Sequence, residues 1–360
     1  MKIAVLGSGN GGCTLAADWA LNGHDVNIFA VKGHSTNVEA IQSNGGIFLE
    51  GEINGFAEVS YAGTDIEKAL EDRDLVFVVG PAFTTEVFGN VCKPFIKKGQ
   101  IFIVCPGSCG GSMVFKKAVG KKVEEEDIIV AETSTLPYAC RVIEPGRVKV
   151  FLKLHEAYHV AAQPCKYTEK VHKMLSTTVY PNILPAKNIL HTSLLNDNPV
   201  IHPAITLMNT GLIERTKGDF DFYGEGVTPA VGRLMRAVDK ERIIIGKKIG
   251  FDLITIPESD YRQGYLEVAD YENGYQNAES FKGIRAQKQL EHRYLIEDVA
   301  YGMVFWTELG KQIGVETPVM DSIISIASVL LEKDYRKEKK RTMESMMLSN
   351  YSLDELNRVL

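Results

Sequence analysis

The chain has 360 residues, too many for one ordinary core, so two domains are expected. Its composition, 45% hydrophobic and 24% charged, is that of a globular protein, and no apolar run approaches the ~18 residues that a membrane span needs. A net charge of −6, with no dense Lys/Arg block before residue 330, argues against nucleic acid as a partner.

The first half alternates short apolar runs with helical patterns, the mark of a parallel sheet covered by helices. KIAVLG (2–7) reads as a buried strand, residues 10–22 as a helix with Leu15, Trp19 and Leu21 on its stripe, and DVNIFA (25–30) as the second strand. LVFVVG (75–80), IFIVC (101–105) and DIIVAE (127–132) read as further strands, and RVKVFLKL (147–154) as a final, alternating one. Beyond about residue 185 strand signals cease. Thr228-Pro229 opens a helix that ends near Gly250, another runs from about 297 to Gly314, Thr317-Pro318 starts a third, and Ser352 with Glu355 forms a capping-box pattern. The basic run YRKEKKR (335–341) reads as a solvated helix face. The expected fold is an α/β Rossmann domain, residues 1–185, followed by an all-α domain, 186–360. Six scattered cysteines show no zinc-ribbon or CxxC spacing, and Met1 leads straight into a strand, so a cytoplasmic protein is expected.

GSGNGG places Gly7, Gly9 and Gly12 in the G-x-G-x-x-G spacing between a buried strand and an amphipathic helix, the context that makes the motif a dinucleotide site. Gly7 allows the tight turn, Gly9 lets the backbone approach a diphosphate, and Gly12 lets helix and strand pack closely. An NAD site usually carries Asp or Glu at the end of the second strand; here Ala30 stands there, followed by Lys32, His34 and Ser35, which suit a 2′-phosphate. The reading leans to NADP over NAD.

HEAYH (155–159) matches the zinc signature His-Glu-x-x-His, but its upstream neighbours alternate with strand period, Pro164 closes the segment, and Ala162 and Cys165 stand where the longer metallopeptidase pattern needs Gly and His. No metal is expected. In the second half, NDNPVIHPAITLMNTG (196–211) puts His202 between two prolines that signal a helix start, where the helix dipole disfavours the imidazolium. HRYLIEDVAYG (292–302) sets Arg293 and Asp298 among apolar residues, with Glu297 beside them. A lone histidine is more often structural, and Arg293 with an acid could be a plain ion pair.

Taken together, VLGSGNGG, VVGPAF, CPGSCGG, ETSTLPYACR, LHTSLLNDNPVIHP, YGEGVTPAVG and HRYLIEDVAYG, in this order, resemble the octopine/nopaline (opine) dehydrogenase family over nearly the whole chain. The resemblance implies a Rossmann domain followed by a helical domain of the 6-phosphogluconate-dehydrogenase-like type. It also implies NAD(P)H-dependent reductive condensation of an α-keto acid with an amino acid. By the same resemblance His202 is the acid/base group, Asp298 its carboxylate partner and Arg293 the ligand of the keto-acid carboxylate. Asn10, Pro81 and Thr135 join the cofactor residues, and Cys140 and Asn198 the substrate residues. Ala30 departs from relatives that carry Asp there, which bears on cofactor choice and not on the chemistry.

Two other readings stand beside this one: a keto-acid reductase of the ketopantoate-reductase-like type, which typically uses a lysine that the two segments lack, and a dinucleotide sensor without turnover. The amino-acid partner is not specified; Asp260, Glu267 and Tyr271 lie in a region suited to a basic or an apolar side chain. Small molecules, without nucleic acid or membrane, are the expected partners, and a homodimer is allowed for.

Overall fold

Ile3, Ala4, Val5 and Leu6 have no exposed surface, and the strand they form, β1 (Lys2–Leu6), lies inside an eight-stranded sheet. The computed structural model describes residues 1–346 and 348–360. It divides into two units, Met1–Thr192 with Arg358–Leu360, and Ser193–Asn357.

In the first unit, helix α1 (Asn10–Leu21) joins β1 to the parallel strand β2 (Asp25–Phe29). Helix α2 (Thr36–Asn44) then leads into β3 (Gly46–Gly51) and β4 (Gly55–Glu58), which leave the main sheet, before β5 (Tyr61–Gly63) returns to pair with β2. The chain crosses to the other side of β1, where β6 (Leu75–Val78), β7 (Ile101–Val104) and β8 (Ile129–Thr133) add in parallel. β9 (Tyr138–Glu144) and β10 (Arg147–Lys153) follow, then β11 (His159–Gln163), antiparallel to β8, and β12 (Leu184–Pro185). The main sheet runs β12-β11-β8-β7-β6-β1-β2-β5. The order reverses at β1/β6, the switch point at which such sheets bind nucleotides.

The stretch 147–154 does not close this sheet. β10 pairs with β3 and β9 in a separate sheet of order β4-β3-β10-β9. Its alternation is the reason: Val148, Val150 and Leu152 are buried and the residues between them are not, whereas a strand inside a helix-covered parallel sheet is buried on both faces. The HEAYH segment is the connection from β10 to β11 and forms no helix; Ala157 has φ 58°, His155 is exposed and His159 begins β11. The spacing of its histidines therefore does not put them on one helical face.

The second unit is helical. Thr228 caps the helix Pro229–Ile249 by accepting from the Val231 amide, and Gly250, at φ 96°, ends it. Val231, Met235, Val238, Arg242, Ile245 and Ile249 bury its inner face. Within that face Asp239 and Arg242 form an ion pair at 2.5 Å, and Arg242 also donates to the carbonyls of Leu194 (2.6 Å) and Ile254 (2.7 Å). One buried guanidinium thus ties Leu194, a few residues before the helix that carries His202, and Ile254 to this helix. Glu241 accepts from the amides of Val319 and Met320, capping the helix Pro318–Leu330. The basic run is a solvated helix face only in part: Tyr335–Glu338 is helical and residues 337–340 are exposed, but Tyr335 and Arg341 are buried, Arg341 lying over the Tyr301 ring. Among the described residues no helix is long and apolar enough to cross a membrane.

Candidate active site

Gly7, at φ 119°, ends β1. A Cβ there would collide with the Val79 carbonyl beyond β6, and a Cβ on Gly12 with the Gly7 carbonyl, so both glycines serve close packing. Gly9 differs: no atom lies within 4 Å of where its Cβ would stand. The N-terminus of α1 has no side chain on its amides and no acid in its first turn. Open space over a bare, positive helix end fits a dinucleotide diphosphate.

The other residues expected at the nucleotide, with Cys140 expected at the substrate, are placed as follows. The Asn10 side chain accepts from the Val142 amide at 2.8 Å, so it fastens the loop to β9. Ala30 is buried and Lys32 is exposed, while Ser35 donates to Glu39 at 2.6 Å. Pro81 opens the turn after β6, and Thr135, nearly buried, follows β8. Cys140 is buried in β9, with its thiol pKa raised by burial. Asn37, which the sequence did not single out, donates to the Ser8 carbonyl at 2.6 Å and braces the glycine loop.

In the second unit the helix Asn198–Met208 carries His202 as its fifth residue, 7% exposed. Pro203 is not at the helix start but in the second turn; only the Pro199 carbonyl loses an intrahelical donor, which the helix tolerates. The expected helix from 297 to Gly314 is also broken in two. Asp298–Met303 forms a π-helical turn between the short helix Arg293–Ile296 and the helix Val304–Ile313. A wider turn re-aims one side chain, and such turns recur at functional sites. Here it carries Asp298 to His202: Nδ1 and Oδ2 are 2.8 Å apart. Gly302 permits the approach, since a Cβ there would stand 2.5 Å from the Pro199 ring.

When Asp298 is ionised it accepts from Nδ1, which leaves the imidazole Nε2 as acceptor, and the Tyr223 hydroxyl lies 3.1 Å from Nε2. Tyr294 stacks on the ring at 3.9 Å between centroids. Arg293 is half-exposed, its Nε 3.3 Å from the buried Glu297 carboxylate. Asn198, at the start of the helix, donates to Asn196 at 3.2 Å. His202, Asp298 and Arg293 are therefore brought into one cluster.

Burial, followed by the charge of Arg293, pushes the His202 pKa down to about 3, and burial pushes Asp298 up to about 7 against the pull of Arg293. The expected cause for the histidine, the helix dipole, is not the leading one. Sequence reasoning missed Tyr223 and Tyr294; both lie in segments that had been singled out, but no spacing marks an aromatic residue as a partner of an imidazole.

A family profile for the alpha-helical domain of NAD/NADP octopine/nopaline dehydrogenase matches residues 185–331, and one for the N-terminus of NAD-dependent glycerol-3-phosphate dehydrogenase matches residues 2–130. The opine dehydrogenase of Arthrobacter sp. (strain 1C) is 34% identical over 348 residues, covering 96% of this chain and 95% of that one. This chain belongs to the opine dehydrogenase family. It is an NAD(P)-dependent dehydrogenase. Its fold is shared with octopine dehydrogenase in complex with NADH and agmatine (TM-score 0.79, 20% identity, 99% and 98% of the two chains). Yersinopine dehydrogenase bound to NADP+ shares it too (TM-score 0.72, 16% identity, 99% and 97%).

Proposed function

We propose that this enzyme reductively condenses an α-keto acid of the pyruvate type with the amino group of an amino acid, giving an opine. Residues 1–185 hold the dinucleotide and residues 186–360 the substrates. The observation that carries the reading is the buried His202–Asp298 pair with Arg293 on the adjacent turn. It joins an acid/base group, its orienting carboxylate and a carboxylate ligand in one cluster of a family whose relatives are named opine and octopine dehydrogenases.

The reduced nicotinamide, when bound, supplies the hydride. Arg293 holds the keto-acid carboxylate through charge-assisted bonds, each worth roughly 1.5–3 kcal/mol. That carboxylate offsets the guanidinium charge, one of the two effects that keep His202 unprotonated. Substrate binding thereby readies the imidazole to take up a proton. His202 then protonates the carbinolamine oxygen as water leaves to form the imine, or in the reverse direction takes the proton from the opine amine. Asp298 fixes the imidazole with Nε2 toward the reacting atoms and stabilises its protonated form. Tyr223, on Nε2, gives way to substrate or relays its proton.

For the cofactor we propose NADPH over NADH. Ala30 offers no acceptor to a ribose 2′-hydroxyl, and Lys32 is exposed on the loop that follows. Glu39 on Ser35 opposes the reading, since a phosphate at Ser35 must displace it. A keto-acid reductase that uses a lysine base fits less well, because a histidine occupies the acid/base position beside Asp298.

The test is oxidation of NADPH and NADH at 340 nm with pyruvate and each amino acid in turn. The reading predicts turnover that requires both substrates and is faster with NADPH. Turnover with pyruvate alone contradicts it.

A further inference from the structure

Both nitrogens of the His202 ring are engaged within the second unit. Asp298 holds Nδ1 at 2.8 Å, Tyr294 covers one face at 3.9 Å between centroids, and the Tyr223 hydroxyl stands on Nε2 at 3.1 Å. With Asp298 ionised, Nδ1 carries the proton and Nε2 is the nitrogen left to accept. The Tyr223 hydroxyl therefore donates to Nε2, and its oxygen lone pairs point away from the imidazole.

The Tyr223 side chain is fixed on several sides. Its ring, 6% exposed, stacks on Phe281 at 4.1 Å between centroids and 15° between planes. It meets Phe222 edge-on at 5.1 Å and 88°. Phe281 in turn lies nearly parallel to Tyr265, at 5.4 Å and 13°, and to Tyr275, at 6.1 Å and 9°. Tyr275 has no exposed surface and donates its hydroxyl proton to Asp260 Oδ2 at 2.5 Å, which anchors that end of the stack. The backbone is held as well. The Tyr223 carbonyl accepts from the Val227 amide at 3.1 Å, and the Phe222 amide donates to the Ile284 carbonyl at 2.8 Å. Swinging the ring off Nε2 would break these aromatic contacts together.

We propose that Tyr223 is a further catalytic residue, whose hydroxyl touches the substrates and carries protons between them and His202 Nε2. The proposal rests on reading His202 as the acid/base group. The amino acid arrives as an ammonium. One of its N–H bonds breaks and the proton goes to the Tyr223 oxygen, while the Tyr223 O–H bond breaks and that proton goes to Nε2. A free amine, an unchanged tyrosine and an imidazolium facing Asp298 result. Once the amine has added to the keto carbon and formed the carbinolamine, the shift runs backwards. Nε2 returns its proton to the Tyr223 oxygen and the hydroxyl proton goes to the carbinolamine oxygen. The C–O bond then breaks to release water as the nitrogen lone pair closes the C=N bond of a protonated imine. Burial pushes the Tyr223 pKa further above the ordinary tyrosine range, so the hydroxyl passes protons on and does not keep the charge.

Two variants separate this relay from a hydroxyl that merely blocks Nε2 until substrate pushes it away. Tyr223→Phe keeps the ring and its stack and removes only the hydroxyl. Phe281→Leu keeps the hydroxyl and removes the ring that clamps it.

The experiment is steady-state kinetics with NADPH, pyruvate and the amino acid on which wild type is fastest, and opine oxidation with NADP+ in the reverse direction. Tyr223→Phe should lower kcat roughly 10²-fold in both directions, the low end of what a positioned proton-transfer group contributes. The KM for NADPH and the Tm should stay close to wild type. A fall in kcat of less than about tenfold overturns the proposal, because a hydroxyl that only blocks Nε2 is not missed when it is gone.

Phe281→Leu decides the question where Tyr223→Phe yields no folded protein. A relay on a loosened ring is aligned less of the time, so kcat should fall at least about threefold. A blocking ring that swings more freely gives way sooner, so an unchanged or raised kcat overturns the proposal. Wild type without turnover on any amino acid contradicts the functional reading itself, and the relay falls with it. A wild type that turns over beside an unimpaired Tyr223→Phe overturns the relay alone.

Discussion

His202 and Asp298 are 96 residues apart in sequence and 2.8 Å apart in the fold, joined Nδ1 to Oδ2 in a buried site. The proline-bearing helix start places one and a π-helical turn the other. A dyad built on two regular elements is held more firmly than one built on loops, which suits a group that must act on one atom.

Removing the imidazole tests its chemical role. His202→Ala should lower kcat by roughly 10²–10⁴-fold while leaving the affinity for NADPH unchanged, since the glycine loop lies in the first unit. Rate and cofactor titration by NADPH fluorescence check both parts; a loss of less than tenfold in kcat is the contrary result.

The pair also sets a pH dependence. Asp298, raised to about 7, is the group that gives up its proton as the pH passes neutrality. Amine formation needs a proton in the site, so kcat/KM in that direction should fall above about pH 7, and opine oxidation should rise over the same interval. In Asp298→Asn this limb should flatten in both directions.

Arg293 is expected to act on the keto acid alone. Arg293→Ala should reduce kcat/KM for pyruvate by roughly 10–150-fold, the equivalent of one charge-assisted contact, with the KM for NADPH unaltered. Arg293→Lys should recover only part of the loss, because an ammonium cannot make the bidentate contact.

Gly302 is a purely geometric prediction. Gly302→Ala sets a methyl group 2.5 Å from the Pro199 ring, which cannot rotate away. The cost should be about 1–3 kcal/mol of stability, with a larger fall in kcat than in cofactor binding as the π-helical turn shifts Asp298. Denaturant unfolding and steady-state kinetics on the same preparation separate the two.

Much of this arrangement was legible in the sequence. Buried strands with glycine closures announce a parallel sheet, and the helix starts at Thr228-Pro229 and Ser352 carry their own capping chemistry, whereas the start at Thr317-Pro318 is capped from another helix by Glu241. The second sheet was not legible, because an alternating strand such as 147–153 does not say which sheet it joins. Nor was the π-helical turn, since its wider spacing leaves the apolar pattern of 299–313 still readable as one α-helix. The ring partners Tyr223 and Tyr294 come from a turn and a short helix whose meeting with His202 depends on tertiary packing alone. The dyad itself was reached through family resemblance; spacing named a histidine and an acid but did not pair them.

The most direct test of the account follows the hydride. Protein, pyruvate, a mixture of amino acids and NADPH deuterated at nicotinamide C4 on the transferred face would be incubated together and the products read by mass spectrometry. The account predicts an N-(1-carboxyethyl) amino acid carrying one deuterium on the new secondary carbon, formed at a rate roughly 10²–10⁴-fold lower with His202→Ala. Deuterated lactate, with no amino-acid adduct, would contradict it.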